Sequence, residues 1–170
     1  SDYALDRISV FDREGRYVRS FGERGGGEGQ FDGPNGLCFT ADGNLVVADQ
    51  QNHRVQIVGE DGTFVRAFGS EGEEDGQFSL PHSVSVGPDG SIAVVDDSNR
   101  VQIFDGEGRF VRRIGSEGEG PGPFMSGSGV AHGAGGEIIV SDCGREDVQV
   151  FSGEGELLQI IGAEGDSKVA

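Results

Sequence analysis

Three histidines, His53, His82 and His132, have the most direct route to metal chemistry in this sequence. A catalytic zinc needs about three protein ligands and one open position. His82 lies in Leu80-Pro81-His82-Ser83-Val84, at the start of an apolar run. His53 sits in a polar corner, and His132 at the far end of a later run. When the chain is aligned on its own internal repeat, Asn35 and, approximately, Ser128 occupy the place of His82. His82 would therefore be a lone ligand. It is expected to hydrogen-bond at an inner strand, and no metal or cofactor is expected.

A second set of residues is a recurring carboxylate–guanidinium pair. Asp49 with Arg54, Asp96 with Arg100, and Asp2 with Arg7 fall at one place in successive repeats. Such groups form bidentate pairs. Their recurrence suits a structural clasp, because a single active site does not need identical copies. Glu71 to Asp75 (EGEED) supplies hard oxygen ligands suited to calcium, but without regular spacing, and reads as a solvated linker. The serines show no nucleophile elbow and no evident His–Asp partner. No GxxxxGK[ST] phosphate loop occurs, and no helix follows Gly25 to Gly29.

Bulk charge narrows the partners. Thirty acidic residues face 13 basic ones, for a net charge of −17. Nucleic acids and anionic membranes are disfavoured, since both are bound through Lys/Arg patches. Basic proteins, basic peptides or cations are the better electrostatic match. With 32 glycines and only 34% apolar residues, the composition alone suggests disorder. The apolar residues are nevertheless gathered in short alternating runs between glycine turns, so disorder is expected only in the Glu/Gly tracts. Cys38 and Cys143 stand a whole repeat apart at different places in their copies, and no bridge between them is expected. No leader-like segment or apolar run of membrane-spanning length is present.

What must position these residues is a repeat of about 46 residues. Gly15, Gly62, Gly108 and Gly155 open successive copies at spacings of 47, 46 and 47. Such a period marks units that bury their apolar faces only against neighbours. Each copy divides into four runs. In the second these are His82 to Val86, Ser91 to Val95, Arg100 to Phe104 and Arg109 to Ile114. Alternation and β-branched residues predict strands, and Gly87-Pro88-Asp89-Gly90 and Gly106-Glu107-Gly108 predict hairpin turns. Tight turns make successive strands antiparallel neighbours, so each unit is a four-stranded meander. Repeated radially, such units make a β-propeller. Solenoid coils, the alternative, are shorter and do not need a meander in each coil. The fold class expected is all-β: a partial propeller of three full four-stranded antiparallel blades plus two strands of a fourth. The blade units span about 7–21 (partial), 35–68, 82–114 and 128–161. Ser1 to Phe11 aligns without gaps on Ser141 to Phe151. Position 1 thus falls inside a repeat, and the chain reads as a piece of a longer polypeptide, with a second chain as the other way to complete a ring.

The recurring P-x-x-[LV], D-G-x-[LI]-x-V-x-D, [NS]-x-R-V-Q-I and G-x-[FY]-V-R-x-[FI]-G resemble NHL repeats. They begin at Pro34, Asp42, Asn52 and Gly15 in one copy and at Pro81, Asp89, Ser98 and Gly62 in the next. The third copy departs, with Gly127 for the proline and Asp147 in the place of Arg54. The resemblance implies a six-bladed ring. It also implies, as one parentage, a tripartite-motif ubiquitin ligase whose propeller selects substrates, although no RING or B-box cysteine pattern is present. Some NHL propellers bind RNA on a basic face, but the linking tracts GERGGGEGQ, GSEGEEDGQ and GSEGEGPGP are acidic here. Pro81-His82-Ser83 also resembles a segment of the peptidyl-hydroxyglycine amidating lyases, in which a histidine at that place binds a channel zinc.

The function expected is therefore a non-catalytic protein- or peptide-binding scaffold, with the zinc lyase as the alternative. Antiparallel meanders put alternate connections on opposite faces, so the blade links and the corners share one face. The binding candidates are Asn35, Gln50, Gln51, His53, His82, Asp97, Ser98 and Arg145.

Overall fold

A computed structural model describes residues 1–115 and 124–162 and the backbone of 167–168. Its strands, in chain order, are β1 (Ile8–Phe11), β2 (Tyr17–Phe21), β3 (Pro34–Phe39), β4 (Leu45–Asp49), β5 (Arg54–Val58), β6 (Phe64–Phe68), β7 (Ser83–Val86), β8 (Ile92–Asp96), β9 (Arg100–Phe104), β10 (Phe110–Ile114), β11 (Gly127–His132), β12 (Ile138–Asp142), β13 (Asp147–Phe151), β14 (Leu157–Gly162) and β15 (Ser167–Lys168). They form a two-stranded sheet, β1-β2, and antiparallel meanders β3 to β6, β7 to β10 and β11 to β14. The expected fourteen strands are joined by a short fifteenth, β15, paired outside β14. No described helix is long and apolar enough to cross a membrane.

The second strand of each blade is where local sequence speaks most plainly. LVVAD in β4 and IAVVD in β8 are buried along their whole length. A continuous short apolar run bounded by turns is the mark of a strand covered on both faces. In a fan of blades those covers are the neighbouring blades. Val46, Ala48, Val55 and Ile57 meet Phe78, Val84, Ile92, Val94 and Phe104 in one seam. Ala93, Val95, Val101 and Ile103 meet Phe124, Ile138, Val140 and Phe151 in the next. Phe78 and Phe124 enter these seams from the blade links, as Phe31 enters a third, with Ile8, Leu45, Val47 and Val58. The outermost strands β6 and β10 alternate instead, with Val65 and Val111 on the exposed side.

The inner strands of successive blades are stitched together. The Gly36 N–H donates to the His82 carbonyl at 2.9 Å. Ser83 and Ser85 hydroxyls accept the backbone N–H groups of Val130 and His132 at 3.1 and 3.0 Å. A Cβ on residue 36 would stand 2.7 Å from the His82 oxygen and 2.8 Å from Ser83 Cα, both backbone atoms. Gly36→Ala is therefore expected to cost about 1–3 kcal/mol as an overpacked seam. Gly26→Ala, whose Cβ would sit 3.5 Å from the Asn52 side-chain oxygen, should be tolerated. Urea unfolding of the two variants checks the contrast.

A second tie runs along the outside. Arg19 donates to the Glu60 carbonyl. Arg66 donates to the Gly106 carbonyl at 2.8 Å and pairs with Glu107 at 2.5 Å. Arg112 reaches Glu154 at 3.9 Å. The arginine of each outermost strand thus grips the last turn of the following blade.

The corner face and its candidate site

Each blade's second strand ends in a buried aspartate, and the chain then turns a short corner into the third strand. The corner closes on a residue in the left-handed conformation: Asp6, His53, Asn99 and Glu146 have φ of 51°, 51°, 53° and 57°. Few non-glycine residues adopt it. It reverses the chain so that the next side chain, Arg54 or Arg100, folds back over the aspartate.

In blade β3–β6 the fully buried Asp49 accepts four bonds. These come from Asp32 N at 2.8 Å, Arg54 Nε at 2.8 Å, Asn52 Nδ2 at 2.9 Å and Gln56 Nε2 at 3.0 Å. Arg54 spends its remaining donors on the carbonyls of Gly26, Gly27 and Gln30, at 2.8, 2.8 and 3.0 Å. Blade β7–β10 repeats the plan. Asp96 pairs with Arg100 at 3.3 Å, and Arg100 donates to the carbonyls of Gly72, Glu73, Glu74 and Gln77. Burial pushes the Asp96 carboxyl above its usual range, against the opposing pull of the Ser79 N–H and the Arg100 guanidinium. Asp2 and Arg7 lie 3.4 Å apart, both partly exposed.

The third copy solves the same problem differently. Asp142 accepts Met125 N, Ser126 N and Gly144 N at 2.8, 2.9 and 3.0 Å. With Asp147 at the clasp position, Arg145 bends back onto it at 3.3 Å instead of projecting outward.

Two consequences escaped sequence reasoning. The first is the buried glutamines. Gln56 Nε2 donates to the Gln30 carbonyl at 2.5 Å, and Gln102 Nε2 to that of Gln77 at 2.6 Å. Their oxygens accept Gly29 N and Gly76 N at 3.1 and 2.8 Å. The recurring V-Q-I was the available signal. The second corrects the expectation of disorder in the Glu/Gly tracts. Residues 22–30 and 69–77 are held as built loops, because arginine and glutamine side chains satisfy their carbonyls. The third tract lies almost wholly outside the described residues.

Residues 31–58 match the NHL repeat, and residues 89–131 match a family described as a 6-bladed beta-propeller. The chain carries an NHL repeat within a propeller fold.

Solved structures place this propeller's fold in the same company. A catalytically inactive virginiamycin B lyase from Staphylococcus aureus, solved with quinupristin, superposes with a TM-score of 0.69 at 15% identity, over 99% of this chain and 50% of that one. A chain from a nidogen/laminin complex gives 0.73 at 17% identity, over 96% and 58%. A protein of unknown function from Bacteroides caccae gives 0.67 at 15%, over 94% and 55%. The NHL propeller chain thus spans about half the length of these structures, and at such identities the likeness is one of fold. No curated protein sequence matches it significantly.

The remaining candidates scatter over the corner face. Asn35 is exposed and donates to Gln50 Oε1 at 3.4 Å, and Gln51 donates to the Tyr3 hydroxyl at 3.0 Å. His53 differs from an outward-facing residue. Its Nδ1 lies 3.2 Å from the Phe78 carbonyl and 3.3 Å from Leu80 N, inside the seam to the next blade's link. His82 turns to its own corner, with Nε2 3.6 Å from Asp97 Oδ1. His132 lies on the opposite face, with Nδ1 3.0 Å from Ser85 Oγ. A zinc does not fit this arrangement: among the described residues no three His, Cys, Asp or Glu side chains converge. Both cysteines are free thiols.

Ser85 Oγ accepts the His132 backbone N–H at 3.0 Å and lies 3.0 Å from His132 Nδ1, which ties β7 to β11. Burial holds the His132 imidazole below its usual range, with Asp89 opposing. Between the folded value and the ordinary 6.5, the unfolded chain binds the proton more readily. Stability is therefore present above about pH 6.5 and falls as pH drops towards the folded value. Urea midpoints at about pH 7.5 and 5.5 should show this loss, and His132→Gln should flatten it.

Proposed function

We propose that this NHL propeller is a non-catalytic scaffold that binds a protein or peptide on its corner face, with a basic partner. The observation carrying the reading is how the corner residues are spent. The guanidinium groups of Arg54 and Arg100 are consumed inside the fold, on link carbonyls and buried aspartates. Carboxylates such as Asp97 stay half-exposed on rigid loops. A rigid blade carrying polar connections is the usual division between framework and recognition surface. The excess of carboxylates favours cationic partners and disfavours RNA. That a chain of this fold was solved within a nidogen/laminin complex is in keeping with such use.

The lyase neighbour keeps an enzymatic reading in view, yet among the described residues the His82 ring pairs with no side chain but Asp97. Capture from an array of basic and charge-scrambled peptides tests the binding reading. Retention at low salt that weakens towards 0.5 M is expected, and no retention at low salt would overturn it. Stoichiometric zinc in the purified protein, lost in His82→Ala, would overturn the non-catalytic part.

A further inference from the structure

The blades are near-copies, so the place where one departs from the others carries information. The corner of blade β3–β6 places five residues between Asp49 and Arg54, counting the arginine, whereas that of blade β7–β10 places four between Asp96 and Arg100. Counted back from the arginine, Asn52 matches Ser98, so a serine stands in the place of the asparagine and the residue lost lies between it and the aspartate. In the longer corner Asn52 fills the space above the clasp, donating to Gly25 O at 2.8 Å and Asp49 Oδ2 at 2.9 Å. In the shorter corner Ser98 carries no amide to bridge link and clasp, and its Oγ is buried without a hydrogen-bond partner. The link changes at the same point. Gly26, whose Cβ would touch Asn52, is Glu73 in the next repeat.

The result is a cleft of about 380 Å³, with Glu73, Asp97, Ser98, Asn99 and Arg113 around it and Arg100 at its base. That is within the range of about 300–1,000 Å³ typical of small-ligand sites. Its charge is one-sided once the internal pairs are counted. Arg100 is matched by Asp96 beneath it, and Arg113 by Asp75 at 3.7 Å. Glu73 has no side-chain partner among the described residues, and Asp97 has only the His82 imidazole, 3.6 Å away. The lining of the cleft therefore includes two acidic residues, Glu73 and Asp97, and Ser98 where the neighbouring blade has an amide.

We propose that this cleft is the socket for one cationic side chain, arginine or lysine, of the bound peptide. Glu73 and Asp97 would accept its N–H groups, and Asn99 and Ser98 would form the wall. The inference rests on the scaffold reading above and gives it a register, since the anchor residue of the partner would sit over blade β7–β10.

The test uses the full chain, isotope-labelled, titrated with a blocked Gly-Arg-Gly tripeptide, its lysine counterpart and its citrulline counterpart. Saturable amide shifts confined to residues 73 and 97–99 are expected with the two cationic probes and not with citrulline. Asp97→Asn and Glu73→Gln should each weaken binding about tenfold, while Glu107→Gln, on the opposite face, should leave it unchanged. Asp97 is half-exposed, so its variant should fold, and an otherwise unaltered spectrum verifies that. Shifts elsewhere on the corner face that ignore both variants would overturn the socket and leave the scaffold reading standing. No shift with any cationic probe, together with no retention on the peptide array, would overturn both.

Discussion

Arg100→Ala is expected to cost about 3–5 kcal/mol, the range for breaking a buried pair and leaving its partner uncompensated. Arg100 is nearly inaccessible, binds Asp96, and holds four carbonyls of the link that leads into its blade. The informative comparison is Arg109→Ala. Arg109 also pairs with an aspartate four residues away, Asp105 at 3.4 Å, but its side chain is 77% exposed. Its loss should lie within about 0.5 kcal/mol. Identical spacing with opposite burial separates a buried clasp, with its carbonyl bonds, from a surface ion pair. Asp96 sharpens the result, because burial already raises its carboxyl. A group whose folded value lies above its unfolded one favours the folded state as pH falls towards the unfolded value. The Arg100→Ala deficit should therefore shrink under acid conditions. Urea unfolding at two pH values measures both effects, and equal costs for the two arginines would refute the clasp.

Phe104→Ala should be about as severe, at about 3–5 kcal/mol. Its ring is 1% exposed and sits among Phe68, Phe78 and Phe110, with centroids 4.8, 5.4 and 6.0 Å away. These rings come from two blades and the link between them, so the cavity would open in the seam itself. Against a total stability of about 5–15 kcal/mol for a typical domain, that removes a large share. Val111→Ala, on the exposed side of β10, should change the urea midpoint little. If the two variants unfolded alike, blade-to-blade packing would not be what holds the arc together.

The strands and their order were legible because their signals are local. Period-two alternation, β-branched runs and glycine turns act within a few residues, and the 46-to-47-residue spacing of Gly15, Gly62, Gly108 and Gly155 multiplies each signal. The Asp–Arg pairs were legible for the same reason, since the members of each pair lie four or five positions apart. The roles of side chains that act between blades were not. Nothing near His53 announces that its ring enters the seam at Phe78 and Leu80, and nothing near Ser85 points to His132, 47 residues away. The Glu/Gly tracts misled for a related reason: their composition lacks apolar residues, and their order comes from arginines and glutamines some 23 to 28 residues later.

What the amino-acid order determined alone is therefore the unit: a four-stranded meander, its turns, its acidic surface and its kinship to NHL repeats. What only the tertiary structure decided is which charges remain for a partner. A guanidinium or a carboxylate reads alike in sequence whether it faces water or a buried carbonyl, and only the packing of one blade on the next separates Arg100, already satisfied, from Asp97, still half-exposed.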